Sequence, residues 1–315
     1  MLYVLVALQN GLFGVNQPAR SSIMPRLLSN DLMPAANALS SLSMGTGLMV
    51  GPLLAAFFIE WLGYAGAYSV EAVLLVGTLV ALVGLPPIPP EGEVRPPGLA
   101  SVVEGLRYLG TRPNVRMTFA VDLAAMILAM PRVLFPAIGA AFLGGGAQTV
   151  GVLSAGLAVG IVGAGVLSGP LGKVRHQGRA VVFAVCSWGL WVTAFGVVAA
   201  LSPGPLPDGG AHWLLWPAAA CLALAGASDA VSAVFRMTIL QTATPDSMRG
   251  RLQGVFIVVV AGGPRLGDVV LGGFAELTAE PLAAIAGGIA CVLVVVLLAL
   301  WQRGFWAYDG RHPVP

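Results

Sequence analysis

Charged residues are scarce in this sequence. Asp, Glu, Lys and Arg make up 10% of its 315 residues, whereas a soluble domain carries about 25%. A chain with so few charges and a mean hydropathy of +0.87 could not cover the surface of a soluble protein. The net charge of +2 is too small to indicate a nucleic-acid partner. The composition therefore excludes a soluble domain and predicts an integral membrane protein, with the lipid bilayer as its first partner.

Residues that bind metals or form disulfides are also scarce. The three cysteines lie inside apolar stretches and lack the spacing of a disulfide framework or a metal site. The three histidines fall in expected loops or in the tail, and no nucleotide-binding loop or paired acidic motif occurs within an apolar stretch. We therefore expect no cofactor and no metal. A membrane-embedded enzyme is disfavoured, because it would need a catalytic cluster inside the membrane.

Long apolar runs are what the sequence does contain. About 20 apolar residues are needed for a helix to cross a bilayer. The predicted fold class is thus an all-α membrane protein with about nine transmembrane helices. The runs lie near residues 3–24, 33–59, 66–86, 114–138, 148–170, 178–200, 213–240, 252–275 and 281–302.

Basic residues occupy alternate loops between these runs. Four loops, at 60–65, 139–147, 201–212 and 276–280, hold no Lys or Arg, whereas the intervening loops and the tail do. By the positive-inside rule, the basic loops and the C-terminus face the cytoplasm of a multi-pass cell-membrane protein. The same rule places Met1 outside, at the start of an apolar run, so we expect further helices upstream of Met1.

One long loop divides the chain. Residues 87–113 begin with several prolines and then place Leu99, Leu106 and Leu109 on one face of a helix. We predict a cytoplasmic linker with a short amphipathic helix on the membrane surface, serving either as a plain connection or as a regulatory docking element. The linker separates three helices in residues 1–86 from six helices in residues 114–303, and residues 304–315 form a cytoplasmic tail.

Two short patterns recur in the two parts. Asp31-Leu32-Met33 resembles Asp246-Ser247-Met248, and Gly51-Pro52 resembles Gly263-Pro264. Parallel repeats of six helices are a common transporter plan. If the repeats correspond, three helices precede Met1, in agreement with the expectation from charge.

Charges inside a span are functional candidates, because burying them is costly. They could bind a proton or an anionic substrate, or they could be structural ion pairs between helices. Arg265 and Asp268 are spaced to pair, Pro131 and Pro136 predict a break beside Arg132, and Arg236 is expected to snorkel to the cytoplasmic interface. The translocation and proton-coupling candidates are Asp122, Arg132, Asp229, Arg265 and Asp268, together with Asn10 and Asn16 in the three-helix part.

Two further sets of residues suggest moving parts. Gly47, Gly51 and Pro52 could bend the second run, although ordinary close packing would explain the glycines equally well. Arg249 and Arg251 follow Asp246 at a predicted helix start and could form ion pairs that close the cytoplasmic side. The alternative for these two arginines is a role in topology alone.

Several stretches resemble the enterobactin-exporter-like and macrolide-efflux-like branch of the major facilitator superfamily. The residues from Pro18 to Leu27, with Ala36-Asn37-Ala38, are similar to its fourth-to-fifth helix region. Those from Arg132 to Ala137 are similar to its seventh helix, and those from Met237 to Arg251 to its tenth-to-eleventh junction. The last stretch is the most specific, and the similarity runs along the whole chain.

The resemblance implies a twelve-helix fold, of which helices four to twelve are present. It implies proton-coupled export of a small molecule by alternating access, with a siderophore as the first expected substrate and a hydrophobic drug or macrolide as the second. Gly47, Gly51 and Pro52 match the fifth-helix motif of drug–proton antiporters. Lys173 and Arg179 fall in a stretch that resembles the basic loop motif of the superfamily with altered spacing, and they join Arg249 and Arg251 as cytoplasmic gate candidates.

Two hypotheses about the whole protein remain. In the first, the protein is an active exporter whose first helices lie upstream of Met1. In the second, it is a nine-helix remnant without transport activity that acts at most as a membrane partner.

Overall fold

The computed structural model describes residues 23–83, 99–206 and 210–314, and no strand occurs in these three ranges. The predicted run near 3–24, with the candidates Asn10 and Asn16, lies almost wholly outside them. The main helices are α1 (Met33–Val83), α2 (Leu99–Thr111), α3 (Pro113–Leu128), α4 (Gly146–Val166), α5 (Gln177–Ala200), α6 (Leu215–Thr242), α7 (Asp246–Leu277), α8 (Glu280–Trp301) and α9 (Arg303–Trp306).

Among the described residues, 6 helices are long and apolar enough to cross a membrane. They agree with the last six predicted runs, so the prediction of an all-α membrane protein is confirmed. The spans are Pro113–Leu143, Gln148–Val166, Gln177–Ala200, Leu215–Thr242, Met248–Leu277 and Glu280–Trp301.

Helix α1 contains a sharp break at Gly63. This residue has φ 66° and ψ 177°, a positive φ that glycine adopts without steric cost. The break lies in the predicted loop 60–65, between the predicted runs 33–59 and 66–86. Gly51 and Pro52 lie in helical backbone, and their side chains are outside the described residues, so the predicted bend there stays a prediction.

The first span of the six-helix part is interrupted near its middle. Helix α3 ends at Leu128, Met130 is extended with φ −93° and ψ 95°, and a 3-10 helix follows over Pro131–Leu134. Proline lacks an amide hydrogen and clashes with the preceding helical turn. The predicted break beside Arg132 is therefore confirmed. The span then continues through the turn Phe135–Ile138 and a π-helix over Gly139–Leu143.

Close helix contacts are made at glycines. A Cβ atom on Gly160 of α4 would collide with the carbonyl oxygen of Ala223 in α6. A Cβ on Gly189 of α5 would lie 2.8 Å from the carbonyl oxygen of Gly288 in α8. Small residues allow helix backbones to approach closely where no hydrophobic effect holds the helices together. These crossings join α4 to α6 and α5 to α8.

We call the end of the bundle where α3, α5 and α7 begin the basic end, because Arg112, Arg116, Arg175, Arg179, Arg249 and Arg251 lie there. The tail folds back onto it. Arg175 binds Asp309 at 2.8 Å, and this hydrogen bond holds the pKa of Asp309 well below its usual range. At the opposite end, the His212 amide donates to the Leu143 carbonyl at 2.7 Å.

The amphipathic helix predicted in the linker is present as α2, and it packs on α7 at the basic end. Glu104 binds Arg251 at 3.0 Å, and a Cβ on Gly105 would lie 3.1 Å from a methyl group of Val255. Leu109 is buried, whereas Val103 and Leu106 are exposed. One apolar side of α2 therefore packs against the helix bundle, and Val103 and Leu106 form a second apolar patch that is exposed.

Candidate functional site

A buried ion cluster joins α3 to α6. The Arg236 Nη1 atom donates to Asp122 Oδ1, and its Nη2 atom donates to Asp229 Oδ1 at 3.3 Å. The side chains of Arg236 and Asp122 are 5% and 2% exposed, whereas that of Asp229 is 46% exposed. One guanidinium is thus shared by a fully buried carboxylate and a half-exposed one.

Helix geometry explains why these groups meet. Asp229 and Arg236 lie two turns apart on α6, so their side chains project from the same face. That face is turned toward Asp122 on α3, which becomes the counter-ion that a buried guanidinium requires. The prediction that Arg236 snorkels to the interface is wrong. A charge near a helix end can reach water, but Arg236 finds a carboxylate inside the bundle instead.

The cluster contains polar atoms that are only partly satisfied. Asp122 Oδ2, Arg236 Nε and Ser232 Oγ are buried and have no hydrogen-bond partner among the described residues. Ser232 lies one turn from both Asp229 and Arg236 on α6. Polar groups in a protein interior interact more strongly than in water, so these atoms are the ones that a change in protonation or in helix position would affect most.

A cavity of about 440 Å³ opens at the broken span. Arg265 and Asp268 lie on the same face of α7 and pair along one wall of this cavity at 3.5 Å, as their i,i+3 spacing predicted. The Arg265 side chain is 85% exposed, and Arg132 is also exposed at the break. Three predicted candidates therefore share one cavity. Its lining residues are Met130, Arg132, Val133, Val260, Pro264, Arg265 and Asp268.

Hydrogen bonds at the basic end connect the two parts of the chain. The Asn37 Nδ2 atom on α1 donates to Thr238 Oγ1 at 3.1 Å and to Gln241 Oε1 at 2.9 Å on α6. All three side chains are buried. None of these three residues was predicted to belong to a functional site. Their polar side chains, inside or at the end of apolar runs, were the signal that could have identified them.

Ionic contacts surround this junction. Arg249 Nε donates to the carbonyl oxygens of Gln241 and Thr244, each at 3.0 Å, and its Nη1 donates to Asp246 at 3.2 Å. Arg26, which precedes α1, lies 3.9 Å from the same Asp246 carboxylate. Together with Arg251, which binds Glu104, Arg249 thus links helix ends at the basic end.

The other candidates lie apart from these contacts. Lys173 is exposed at the end of the 3-10 helix Gly169–Lys173. The Arg179 guanidinium lies 5.7 Å from the centre of the Trp306 ring in α9. An added Cβ on Gly47 would meet none of the described atoms within 4 Å.

Charged side chains inside membrane-crossing helices commonly mark substrate and ion pathways, so the buried ion cluster and the charged cavity point to a membrane transporter. Within the described residues, no group of three or more His, Cys, Asp or Glu could hold a metal ion. The family model described as Major Facilitator Superfamily matches residues 1–261, and the chain belongs to this superfamily. It is a multi-pass membrane transporter and not an enzyme.

Curated relatives carry the name "Enterobactin exporter EntS". The chain is 28% identical to the one from Escherichia coli O1:K1 / APEC over 297 residues, which is 94% of this chain and 68% of the relative. It is 27% identical to the one from Citrobacter koseri over 312 residues, which is 99% of this chain and 71% of the relative. The resemblance to an enterobactin-exporter-like branch is confirmed.

Proposed function

We propose that the protein exports a siderophore or a similar small molecule across the cell membrane in exchange for protons, by alternating access. The observation that carries the proposal is the cavity formed by Arg132, Arg265 and Asp268, in a chain similar to enterobactin exporters along nearly its whole length. A charged cavity at a broken helix is where transporters commonly bind substrates.

The proposed orientation has the basic end and the C-terminus in the cytoplasm. Lys and Arg are enriched in cytoplasmic loops, and the loops around Arg26, Arg107, Lys173 and Arg249 all follow that pattern. In this orientation, the cavity beside Arg132 lies toward the extracellular half. Residues 1–86 then correspond to helices four to six of a twelve-helix plan, and residues 114–303 to helices seven to twelve.

The proposed cycle has three working parts. Arg132 and Arg265 attract an anionic substrate. The negative charge of Asp268 weakens this attraction, so that the substrate can be released. Arg249, Arg251, Lys173 and Arg179 belong to the cytoplasmic gate, with the Asn37–Gln241 contact inside it. A bend in α1 is supplied by Gly47, Gly51 and Pro52. These residues match the fifth-helix motif of drug–proton antiporters, and this match favours export over uptake.

Asp268→Asn is expected to abolish proton-coupled export. The change removes the carboxylate that balances Arg265 in the cavity and leaves a site with uncompensated positive charge. The measurement is release of enterobactin into the medium by cells that lack their own exporter and express the complete reading frame of this protein.

The matched control for this variant is Glu276→Gln, which removes an exposed carboxylate of the same helix. It should export at the unchanged rate. Undiminished export by Asp268→Asn would remove the cavity from the mechanism. Export of a macrolide but not of enterobactin by the unaltered protein would replace the proposed substrate class.

A further inference from the structure

The two carboxylates that share Arg236 differ in their access to the protein surface. Asp122 is 2% exposed, and Asp229 is 46% exposed. A buried carboxylate without a path to water cannot exchange protons during each transport cycle. Asp229 reaches the surface of the described chain and also contacts the guanidinium, so of the two carboxylates it is the one placed to exchange a proton.

The charge of the cluster depends on one proton. With both carboxylates ionised, one guanidinium faces two negative charges, and the cluster carries one excess negative charge. When a proton binds Asp229, Arg236 and Asp122 remain as a neutral pair. Because burying a net charge is expensive, the neutral cluster can be enclosed between helices, whereas the charged cluster favours a conformation that keeps Asp229 open to water.

In the described helices, few charges besides Arg236 lie near Asp229. Arg132, beside the break after α3, is a further positive charge that acts on it. The helices packed against α6 on its other sides, α4 and α5, contribute no Asp, Glu, Lys or Arg beyond Arg179 at the start of α5. The Ser228 hydroxyl, next to Asp229 in the chain, lies 2.9 Å from the Ser187 hydroxyl of α5. On α1, Ser41 lines a small pocket with Ala230 and Val231 of α6, and Asn37 binds α6 closer to the basic end.

We propose that Asp229 carries the exchanged proton, and that Asp122 is the fixed counter-ion that keeps Arg236 in place. The assignment rests on the proposed function and deepens it. Asp229 takes up a proton from the extracellular side as an O–H group, and its ion pair with Arg236 is lost. It returns the proton to the cytoplasm, and the contact between Arg236 and Asp229 forms again. Arg236 acts as a positioning residue, because it stays charged throughout.

Two transport assays on the same proteoliposomes test this assignment. In the first, a pH gradient drives enterobactin uphill. In the second, counterflow, labelled enterobactin exchanges for unlabelled enterobactin without net proton movement. Asp229→Asn cannot take up a proton, so we expect loss of the pH-driven transport with counterflow retained. Asp229→Glu keeps a titratable group and should retain both activities.

Asp122→Asn is expected to behave differently. It removes the buried counter-ion of Arg236, so less folded protein should be recovered. The transport by the molecules that do fold should keep its dependence on the pH gradient. Size-exclusion profiles of each variant in detergent establish which proteins are folded before the assays, and Glu276→Gln serves as the unaffected reference.

The possible outcomes separate the two proposals. Asp229→Asn protein that is folded and still driven by the pH gradient would overturn the assignment, and so would a folded variant that loses counterflow as well. Unaltered protein that moves enterobactin in neither assay would overturn the proposed function and, with it, this inference.

Discussion

Replacing Arg236 with glutamine is expected to destabilise the protein by about 3–5 kcal/mol, the range measured when one partner of a buried ion pair is removed. Arg236 is the guanidinium that both Asp122 and Asp229 contact. Without it, the Asp122 carboxylate would be buried with no cation beside it. The cost arises because a buried, unpaired charge loses its hydration and gains nothing in return.

Thermal unfolding in detergent measures this effect. The matched control is Arg265→Gln, because the Arg265 side chain is 85% exposed, and exposed substitutions change stability by no more than about 0.5 kcal/mol. The double variant Asp122→Asn/Arg236→Gln should recover part of the loss, since it removes the fully buried carboxylate together with its cation and leaves only the half-exposed Asp229 unpaired. An Arg236→Gln protein as stable as the control would contradict the ion cluster.

A covalent link between Asn37 and Gln241 is expected to stop transport. These side chains join α1 to α6 at 2.9 Å at the basic end, and alternating access requires that end to open in each cycle. The variant carries Asn37→Cys and Gln241→Cys in a background in which Cys186, Cys221 and Cys291 are replaced by alanine. A short reducible bis-thiol reagent makes the link, and a reductant should restore transport.

The exposure of the two positions sharpens this test. Asn37 and Gln241 are 4% and 1% exposed, so the reagent can reach both only when the basic end opens. The control pair is Arg175→Cys with Asp309→Cys, at the same end but between the six-helix part and its own tail, where the native side chains lie 2.8 Å apart. Linking this pair should leave transport intact. Full transport with Asn37 and Gln241 linked would mean that the contact is not part of a gate.

Features set by neighbouring residues were predictable from the sequence. The hydropathy of the apolar runs predicted the six described spans. A segment that crosses lipid must satisfy its own backbone hydrogen bonds, and a helix does so. Pro131 determined the break beside Arg132 through its missing amide hydrogen. Gly63 lies in a loop identified by its lack of basic residues, and its positive φ explains why a glycine occupies that position.

The partners of the buried polar groups could not be predicted in this way. Asp122 and Arg236 are 114 residues apart, and Asn37 and Gln241 are 204 residues apart. The periodicity of a single helix shows which of its residues share a face but not which helix lies opposite. For Arg236, two turns from the end of α6, the local pattern favoured snorkelling, and only the position of α3 makes an internal ion pair possible.

The central claim is that the protein exchanges protons for a siderophore-type molecule, and it is tested most directly by following both at once. Purified protein from the complete reading frame is reconstituted into liposomes that contain a pH-sensitive dye, and enterobactin is added outside. The proposed mechanism predicts that protons leave the liposomes as enterobactin enters, and that neither moves without the other. Enterobactin entry without proton movement, or no entry at all, would contradict it.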